Sequence, residues 1–415
     1  MERLILHSDA NSFYASVECL YDPDIREKPV AVCGDPEARH GIVLAANRIA
    51  KKRGVKTGMA IWQAKQACPP LVAVQPDYPL YLHFSKMLRG IYSDYSDRVE
   101  SFGLDEAWLD ISQRNRTFRD AERIANEIRE RIKFELGITV SVGVSFNKVL
   151  AKLGSDMKKP DATTVIPRDG FQEIIGGLPV SDLLFAGPRT TKKLMGRSIL
   201  TIGDLAGADA GMIQALLGKN GLILKAYAQG WDISPVMPVE AEAAIKSIGN
   251  STTPPHDIET LDDARCIYYM LAESVSARLR EHGFRSQVIS ISARTTDLLS
   301  GSCQQTLKIA TNLTDEIADT AMELFMRRFA GRLPYRSVGI SCGKLVPEAV
   351  PVQYDMFGNW EKREKVERLE RAIDGLRYRF GHQVLQRGIV LQDRRYAAIN
   401  PKEEHTIHPV PFYAG

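Results

Sequence analysis

The chain is poor in cysteine, carries little net charge and has no long apolar run. Its six cysteines (Cys19, Cys33, Cys68, Cys266, Cys303, Cys342) are scattered through 415 residues. None forms a CxxC pair or shares metal-ligand spacing with histidine, so neither a disulfide framework nor a zinc site is expected. The thiols read as reduced, in a cytoplasmic protein. No apolar run approaches the roughly 18 residues of a membrane helix, and the first residues lack the basic-then-apolar pattern of a secretory leader. No membrane partner is expected. The formal charge is only +3. No whole-molecule field draws the chain to nucleic acid, so any basic surface has to be local. A chain of 415 residues exceeds what one core normally organises, and about two to four domains are expected.

What is present centres on Ser101-Phe102-Gly103-Leu104-Asp105-Glu106-Ala107-Trp108-Leu109-Asp110. Two adjacent carboxylates sit where one apolar strand turns into the next. Acidic residues are poor strand formers, and like charges repel. A divalent cation would remove that cost; Mg²⁺ is commonly held by one or two carboxylates together with substrate phosphates. The pair would equally serve as turn residues of a hairpin. Leu4-Ile5-Leu6-His7-Ser8-Asp9 is a second apolar run ending in a carboxylate. With a basic insert set aside, the elements to residue 144 follow the order β-α-β-β-α-β. In a ferredoxin-like arrangement the first and third strands are antiparallel neighbours, which brings Asp9 beside Asp105 and Glu106.

The segment from Asn11 reads as a helix capped by Asn11 or Ser12, with Phe13, Tyr14, Val17 and Leu20 at helical spacing. The basic insert runs to about Pro79, with strands over 29–33 and 41–45. Its basic helix, from Asn47, is stopped by Gly54. Long helices are expected over 80–95 and 117–136. Another helix leads to Asp156-Met157-Lys158-Lys159-Pro160; its lysines would suit a triphosphate or a solvated face. From Pro167 short helices alternate with glycines. The stretch through Phe185-Ala186-Gly187-Pro188-Arg189 reads as a helix–hairpin–helix aiming N–H groups at phosphate, or as an ordinary helical hairpin.

Residues 231–244, with Pro235 and Pro238, read as a linker. A second α+β unit follows, with helices over 261–282 and 314–329. Val288, Ser290 and Ser292 alternate with Ile289, Ile291 and Ala293 and give one polar sheet face. Arg278, Arg280, Arg285 and Arg294 would line it against a duplex backbone, or it is simply solvated. In the tail, Gln353-Tyr354-Asp355-Met356-Phe357 is either a compact anchor for a partner's pocket or a cap on its own helix. Val366, Leu369, Ile373, Leu376 and Phe380 form an apolar helical stripe.

Together these segments resemble the Y-family DNA polymerases. The resemblance rests on His7-Ser8-Asp9-Ala10-Asn11-Ser12-Phe13-Tyr14-Ala15-Ser16-Val17-Glu18, Asp105-Glu106-Ala107-Trp108-Leu109-Asp110, Val142-Gly143-Val144-Ser145-Phe146-Asn147-Lys148, Asp156-Met157-Lys158-Lys159-Pro160 and Lys246-Ser247-Ile248-Gly249, in one order and at family-like spacing. It covers Met1 to about Leu345, with a clamp motif beyond.

It implies a multidomain α+β fold, a right-hand polymerase. The parts would be a ferredoxin-like palm (1–13 and 80–166), small fingers (14–79), a helical thumb with a helix–hairpin–helix (167–233), a linker (234–245), an α+β little finger (246–346) and a tail with the clamp motif (347–415). It implies low-fidelity, translesion-type, template-directed transfer of deoxynucleotides to a primer 3′ end. No histidine and aspartate set for a proofreading exonuclease is visible.

On this resemblance Asp9, Asp105, Glu106 and the Ala10 carbonyl hold two Mg²⁺ ions. Tyr14, beside Phe13, is the steric gate against ribose, and Arg48, Lys51 and Lys159 meet the triphosphate. Gly187, Arg189, Lys246 and Arg294 meet DNA. Gln353, Asp355, Met356 and Phe357 engage a sliding clamp. Primer–template DNA and deoxynucleoside triphosphates are the implied partners, and the chain is expected to be a monomer.

Three departures from the family pattern involve four positions. Arg48 and Lys51 stand where a Tyr-x-x-Arg pair is usual, and lysine lacks arginine's bidentate fork. Gly103 replaces a serine, and Ala186 a glycine of the thumb hairpin. Two other readings share the carboxylate layout or the DNA-binding parts. A palm-type nucleotidyl cyclase would not need a thumb, a clamp peptide or a second DNA-gripping domain. A catalytically inactive, clamp-tethered DNA-binding protein would be favoured by loss of Asp9, Asp105 or Glu106, and all three are present.

Overall fold

The computed structural model describes residues 2–35, 41–112, 117–239, 244–351 and 360–392. It divides into two compact units, one built mainly from residues 1–34 and 41–242, the other mainly from 243–407.

The strands of the first unit are β1 (Ile5–Ala10), β2 (Val30–Cys33), β3 (Val43–Ala46), β4 (Val72–Val74), β5 (Val99–Ser101), β6 (Glu106–Asp110), β7 (Val140–Ser145) and β8 (Thr163–Ile166). The main sheet runs β5-β6-β1-β7-β8. β1 is antiparallel to β6 and to β7, and Asp9 lies opposite Glu106. The expected adjacency of the first and third strands is therefore present. β8, parallel to β7, adds a fifth strand that the pattern did not show. Every residue of β1 is buried, because both sheet faces are covered. On one face Leu6 packs with Leu88, Ile91, Ile124 and Ile128, from the helices Tyr78–Ser93 and Phe118–Leu136. A capping box between Thr117 and Asp120 starts the second of these helices.

The other face takes the helix Lys148–Met157, seated unusually close. A Cβ on Gly143 of β7 would lie 1.9 Å from the Ala151 carbonyl oxygen, so only glycine admits the helix backbone there. Val236 is also buried on this side, among Ile5, Trp108 and Ala151. The proline-rich stretch around it is tied down: Arg3 donates to the Asp232 and Ser234 carbonyls, and the Met237 N–H donates to Glu100.

A smaller sheet, β3-β2-β4, forms the insert. The Asn47 side chain caps the helix Arg48–Lys52 and accepts from the Val30 N–H, joining helix to strand. The cap expected for the first helix, Phe13–Tyr21, differs. Ser12 occupies the cap position with φ 50° and makes no side-chain cap, while the Asn11 side chain is spent on Ser141, Thr139 and the Asp161 N–H. Five short helices (Phe171–Ile175, Pro188–Met195, Ile202–Gly207, Ala210–Leu217, Lys219–Ala228) close over Ile175, Leu194, Ile202, Leu205 and Leu224.

The second unit has β9 (Ser247–Thr252), β10 (Phe284–Thr295), β11 (Ser300–Thr311) and β12 (Tyr335–Pro347), in the order β11-β10-β12-β9. The helices Leu261–Glu281 and Thr314–Arg328 cover one face, where Ile289, Ile291 and Ala293 are buried with Tyr268, Leu271, Ile317 and Phe325. The expected alternation along β10 holds, but three of the four arginines assigned to its polar face lie elsewhere. Arg278, on the helix that covers the apolar face, donates to the Gly249 carbonyl. Arg280 is buried against Glu370, Asp374 and the Asn312 carbonyl, and Arg285 pairs with Glu367.

The reason is the tail helix, Trp360–Phe380. It docks through an ionic face (Arg363, Glu367, Glu370, Asp374, Arg377) rather than through its apolar stripe. Leu369, Leu376 and Phe380 are exposed. Glu370 is 3 % exposed and is met by Arg280, Arg387 and the Thr314 N–H, which offset part of the cost of burying it; burial still holds its carboxyl above the usual range. Among the described residues no helix is long and apolar enough to cross a membrane.

Candidate active site

The site lies at the end of β1. Asp9 is 4 % exposed, and its Oδ2 accepts from Lys152 at 2.9 Å and from Lys159 at 2.6 Å. Glu106 opens β6 across from it; its Oε2 lies 2.7 Å from Lys152 Nζ and 3.2 Å from His7 Nε2. Asp105 precedes β6, and its carbonyl takes the Ala10 N–H at 3.0 Å, locking the acidic turn to the end of β1. Gly103 has φ 86°, a left-handed backbone that a serine would strain to reach.

Desolvation, then the charges of Glu106 and Asp9, push the Asp105 carboxyl up to about 7, against its backbone N–H bond and Lys152. Desolvation pulls the Lys152 ammonium down, but Asp9, Glu106 and Asp156 outweigh it and hold the pKa above its ordinary value. His7, fully buried beside Trp108, is held well below the usual histidine range by burial and then by Lys152. Its Nδ1 lies 2.9 Å from Ser155 Oγ.

Among the described residues no group of three or more His, Cys, Asp or Glu side chains is drawn together as metal ligands are. Here the lysine ammonium groups stand among the carboxylates, where a cation's charge would act. The donors still fit a hard divalent ion. They are carboxylate oxygens, and Asp105 keeps an elevated pKa that Lys152 only partly relieves.

Beside the carboxylates, Tyr14 stacks on Tyr81 with centroids 4.2 Å apart and planes 11° apart, and Tyr78 meets both edge-on. Burial, then the charge of Asp105, pushes Tyr14 up to about 12. The Tyr81 hydroxyl donates to Glu18. Phe13 is 3 % exposed and turns into the core, backing Tyr14 and Tyr81 instead of facing outward. Lys51 donates to Ser12 Oγ at 2.9 Å; desolvation, then Lys159, lowers its pKa, so it shares the pocket's field. Arg48 is exposed at the start of the same short helix.

All four expected DNA contacts are surface positions. Gly187 precedes the helix Pro188–Met195 with no side-chain cap, leaving N–H groups free to meet phosphate, and Arg189 and Lys246 are exposed. Arg294, exposed on β10, donates to the Leu298 carbonyl at 3.3 Å. Gln353, Asp355, Met356 and Phe357 lie outside the described residues.

Sequence reasoning missed Lys152, Asp156, His7 and Tyr81 as members of the site. The spacing of Lys152 and Asp156, four apart on one helix, was the available signal.

Residues 8–156 match the model of the impB/mucB/samB family, and residues 245–356 match that family's C-terminal domain. The chain is 51 % identical over 394 residues to the DNA polymerase IV of Acetivibrio thermocellus, covering 95 % of this chain and 99 % of that one. It is 37 % identical over 391 residues to DNA polymerase IV 1 of Bacillus subtilis, covering 94 % of each. Among solved structures, a Y-family DNA polymerase chimera of Dbh and Dpo4 matches with a TM-score of 0.73 and 25 % identity, over 83 % of this chain and 99 % of that one. An insertion ternary complex of Dbh DNA polymerase matches with a TM-score of 0.59 and 25 % identity, over the same shares. The chain belongs to the impB/mucB/samB family, the Y-family DNA polymerases.

Proposed function

We propose that this chain is a translesion-type, template-directed DNA polymerase and that Asp9, Asp105 and Glu106, with the Ala10 carbonyl, hold two Mg²⁺ ions. The observation that carries the site reading is the register of Asp9 opposite Glu106, with the Asp105 carboxyl raised by burial and then by its charged neighbours. Bound magnesium would supply activation of the primer 3′-hydroxyl and charge stabilisation for the leaving pyrophosphate.

The protein's part is positioning. The buried β1 fixes Asp9, and the Ala10–Asp105 hydrogen bond fixes the acidic turn, so the ligands are pre-organised. Lys159, Lys51 and Arg48 would meet the triphosphate; Lys159 bonded to Asp9, and Lys51 in the field of Lys159 and Asp9, support this. The Tyr14 ring, braced by Tyr81, is a wall that a 2′-hydroxyl would strike. Gly187, Arg189, Lys246 and Arg294 hold the DNA backbone without reading sequence. A sliding clamp is engaged through Gln353–Phe357. The protein acts as a cytoplasmic monomer, with low fidelity and no proofreading.

The test is extension of a labelled primer on a DNA template with Mg²⁺ and all four deoxynucleotides, wild type beside Asp105→Ala. Extension by wild type alone is expected. If both bind primer–template and neither extends it, the site reading fails and a clamp-tethered binding protein replaces it.

A further inference from the structure

Lys152 is a residue of the site that none of the polymerase roles above uses. It sits on the helix Lys148–Met157 with its side chain only 13 % exposed, and its ammonium bridges Asp9 at 2.9 Å and Glu106 at 2.7 Å. Its third carboxylate, Asp156 one turn further along the helix, is 3.4 Å away and 43 % exposed. Burying an ammonium this deeply is costly unless charges of opposite sign surround it. Here four carboxylates (Asp9, Asp105, Glu106, Asp156) face two ammonium groups (Lys152, Lys159). Even with Asp105 protonated the surplus is negative, and a divalent cation would offset it.

We propose that Lys152 is the resident counterion of the carboxylate site: it holds Asp9 and Glu106 together on its own and yields them to a divalent cation by moving onto Asp156. The proposal rests on the metal-site reading given above. A hard cation would take the same oxygens at about 2.1 Å. Two positive charges do not share them without repulsion. The flexible four-carbon stem and three donors of lysine allow the exchange, and an arginine fork would not. Gly143 makes it possible by letting the helix sit close enough for Nζ to reach both carboxylates.

Asp156 is also held by Lys159, at 2.8 Å. When Lys159 turns to an arriving triphosphate, Asp156 is released to receive Lys152. Nucleotide arrival and cation entry are thereby coupled through one carboxylate. A permanent structural ion pair would not compete with metal, and that difference can be measured.

The experiment is Mn²⁺ titration of the full chain, followed by the electron paramagnetic resonance of free Mn²⁺, for wild type, Lys152→Met, Lys152→Arg and Asp105→Ala. Lys152→Met removes the competitor and is expected to tighten Mn²⁺ binding roughly tenfold. In chelator it melts below wild type, and Mn²⁺ raises its melting temperature by more than it raises that of wild type. Lys152→Arg, which keeps the charge and grips carboxylates harder, is expected to weaken Mn²⁺ binding several-fold.

Unchanged or weaker binding by Lys152→Met overturns the inference. If that variant does not fold, Lys152→Arg carries the test, and binding equal to wild type overturns the inference. Loss of Mn²⁺ binding in Asp105→Ala, with both Lys152 variants like wild type, sinks the counterion alone. Wild-type binding by Asp105→Ala overturns the metal-site reading and the counterion with it.

Discussion

A single methyl group at Gly143 tests how the catalytic helix is seated. The added Cβ would stand 1.9 Å from the Ala151 carbonyl oxygen, 2.5 Å from the Ser155 nitrogen and 2.9 Å from the Gly154 carbonyl carbon. Non-bonded contacts need about 3.5 Å, so strand and helix have to part by roughly 1.5 Å. All three obstacles are backbone atoms of a hydrogen-bonded helix, and none can rotate away. Overpacking costs about 1–3 kcal/mol where side chains absorb it, so ~3 kcal/mol is expected for Gly143→Ala. At about 2–4 °C per kcal/mol for a body of this size, the melting temperature should fall by roughly 6–12 °C. The same displacement works on β7, whose ladder to β1 fixes Asp9, and loosens the His7–Ser155 contact. Primer extension should therefore drop even well below the melting transition. Thermal melting by circular dichroism and primer extension at a fixed low temperature measure the two effects. A variant that melts within about 1 °C of wild type and extends primers as fast would refute the close seating of this helix.

Tyr14→Ala removes the aromatic wall and should raise ribonucleotide incorporation in primer extension; unchanged sugar discrimination rejects the gate. Replacing Met356 and Phe357 by alanine should abolish sliding-clamp capture in a pull-down while distributive synthesis persists; equal clamp affinity rejects the tail reading. Glu370→Ala strands Arg280, 4 % exposed, without its most buried partner. It should cost about 3 kcal/mol in urea unfolding, and a loss below ~0.5 kcal/mol would show that the pair adds little.

Much of the carboxylate site was legible because strand pairing follows from element order. Alternating and buried runs place β1, β5, β6 and β7, and the ferredoxin-like order then sets Asp9 against Glu106 without any side-chain knowledge. Lys152 was harder to read, because a lysine on an amphipathic helix, even one four residues before Asp156, fits a solvated face equally well. Its depth depends on Gly143, which belongs to another element. Tyr81 escaped for a similar reason: its stacking on Tyr14 depends on how a distant helix packs, not on local pattern. In the tail, the apolar stripe suggested the docking face, yet Glu370 is claimed by Arg280, 90 residues away in sequence. Helical periodicity cannot weigh an ion network assembled across the fold.

The ionic dock of Trp360–Phe380 gives that helix a heat-capacity signature unlike the rest of its unit. Unfolding the sheet and its two covering helices exposes apolar surface, which raises heat capacity and curves stability with temperature. Undocking the tail helix exposes chiefly Glu273, Arg280, Glu370, Asp374 and Arg387, and polar exposure lowers heat capacity. The desolvation penalty of such charges also shrinks on warming. Heat therefore threatens the core before it loosens the helix, and the tail should remain attached up to the temperature at which the sheet beneath it melts.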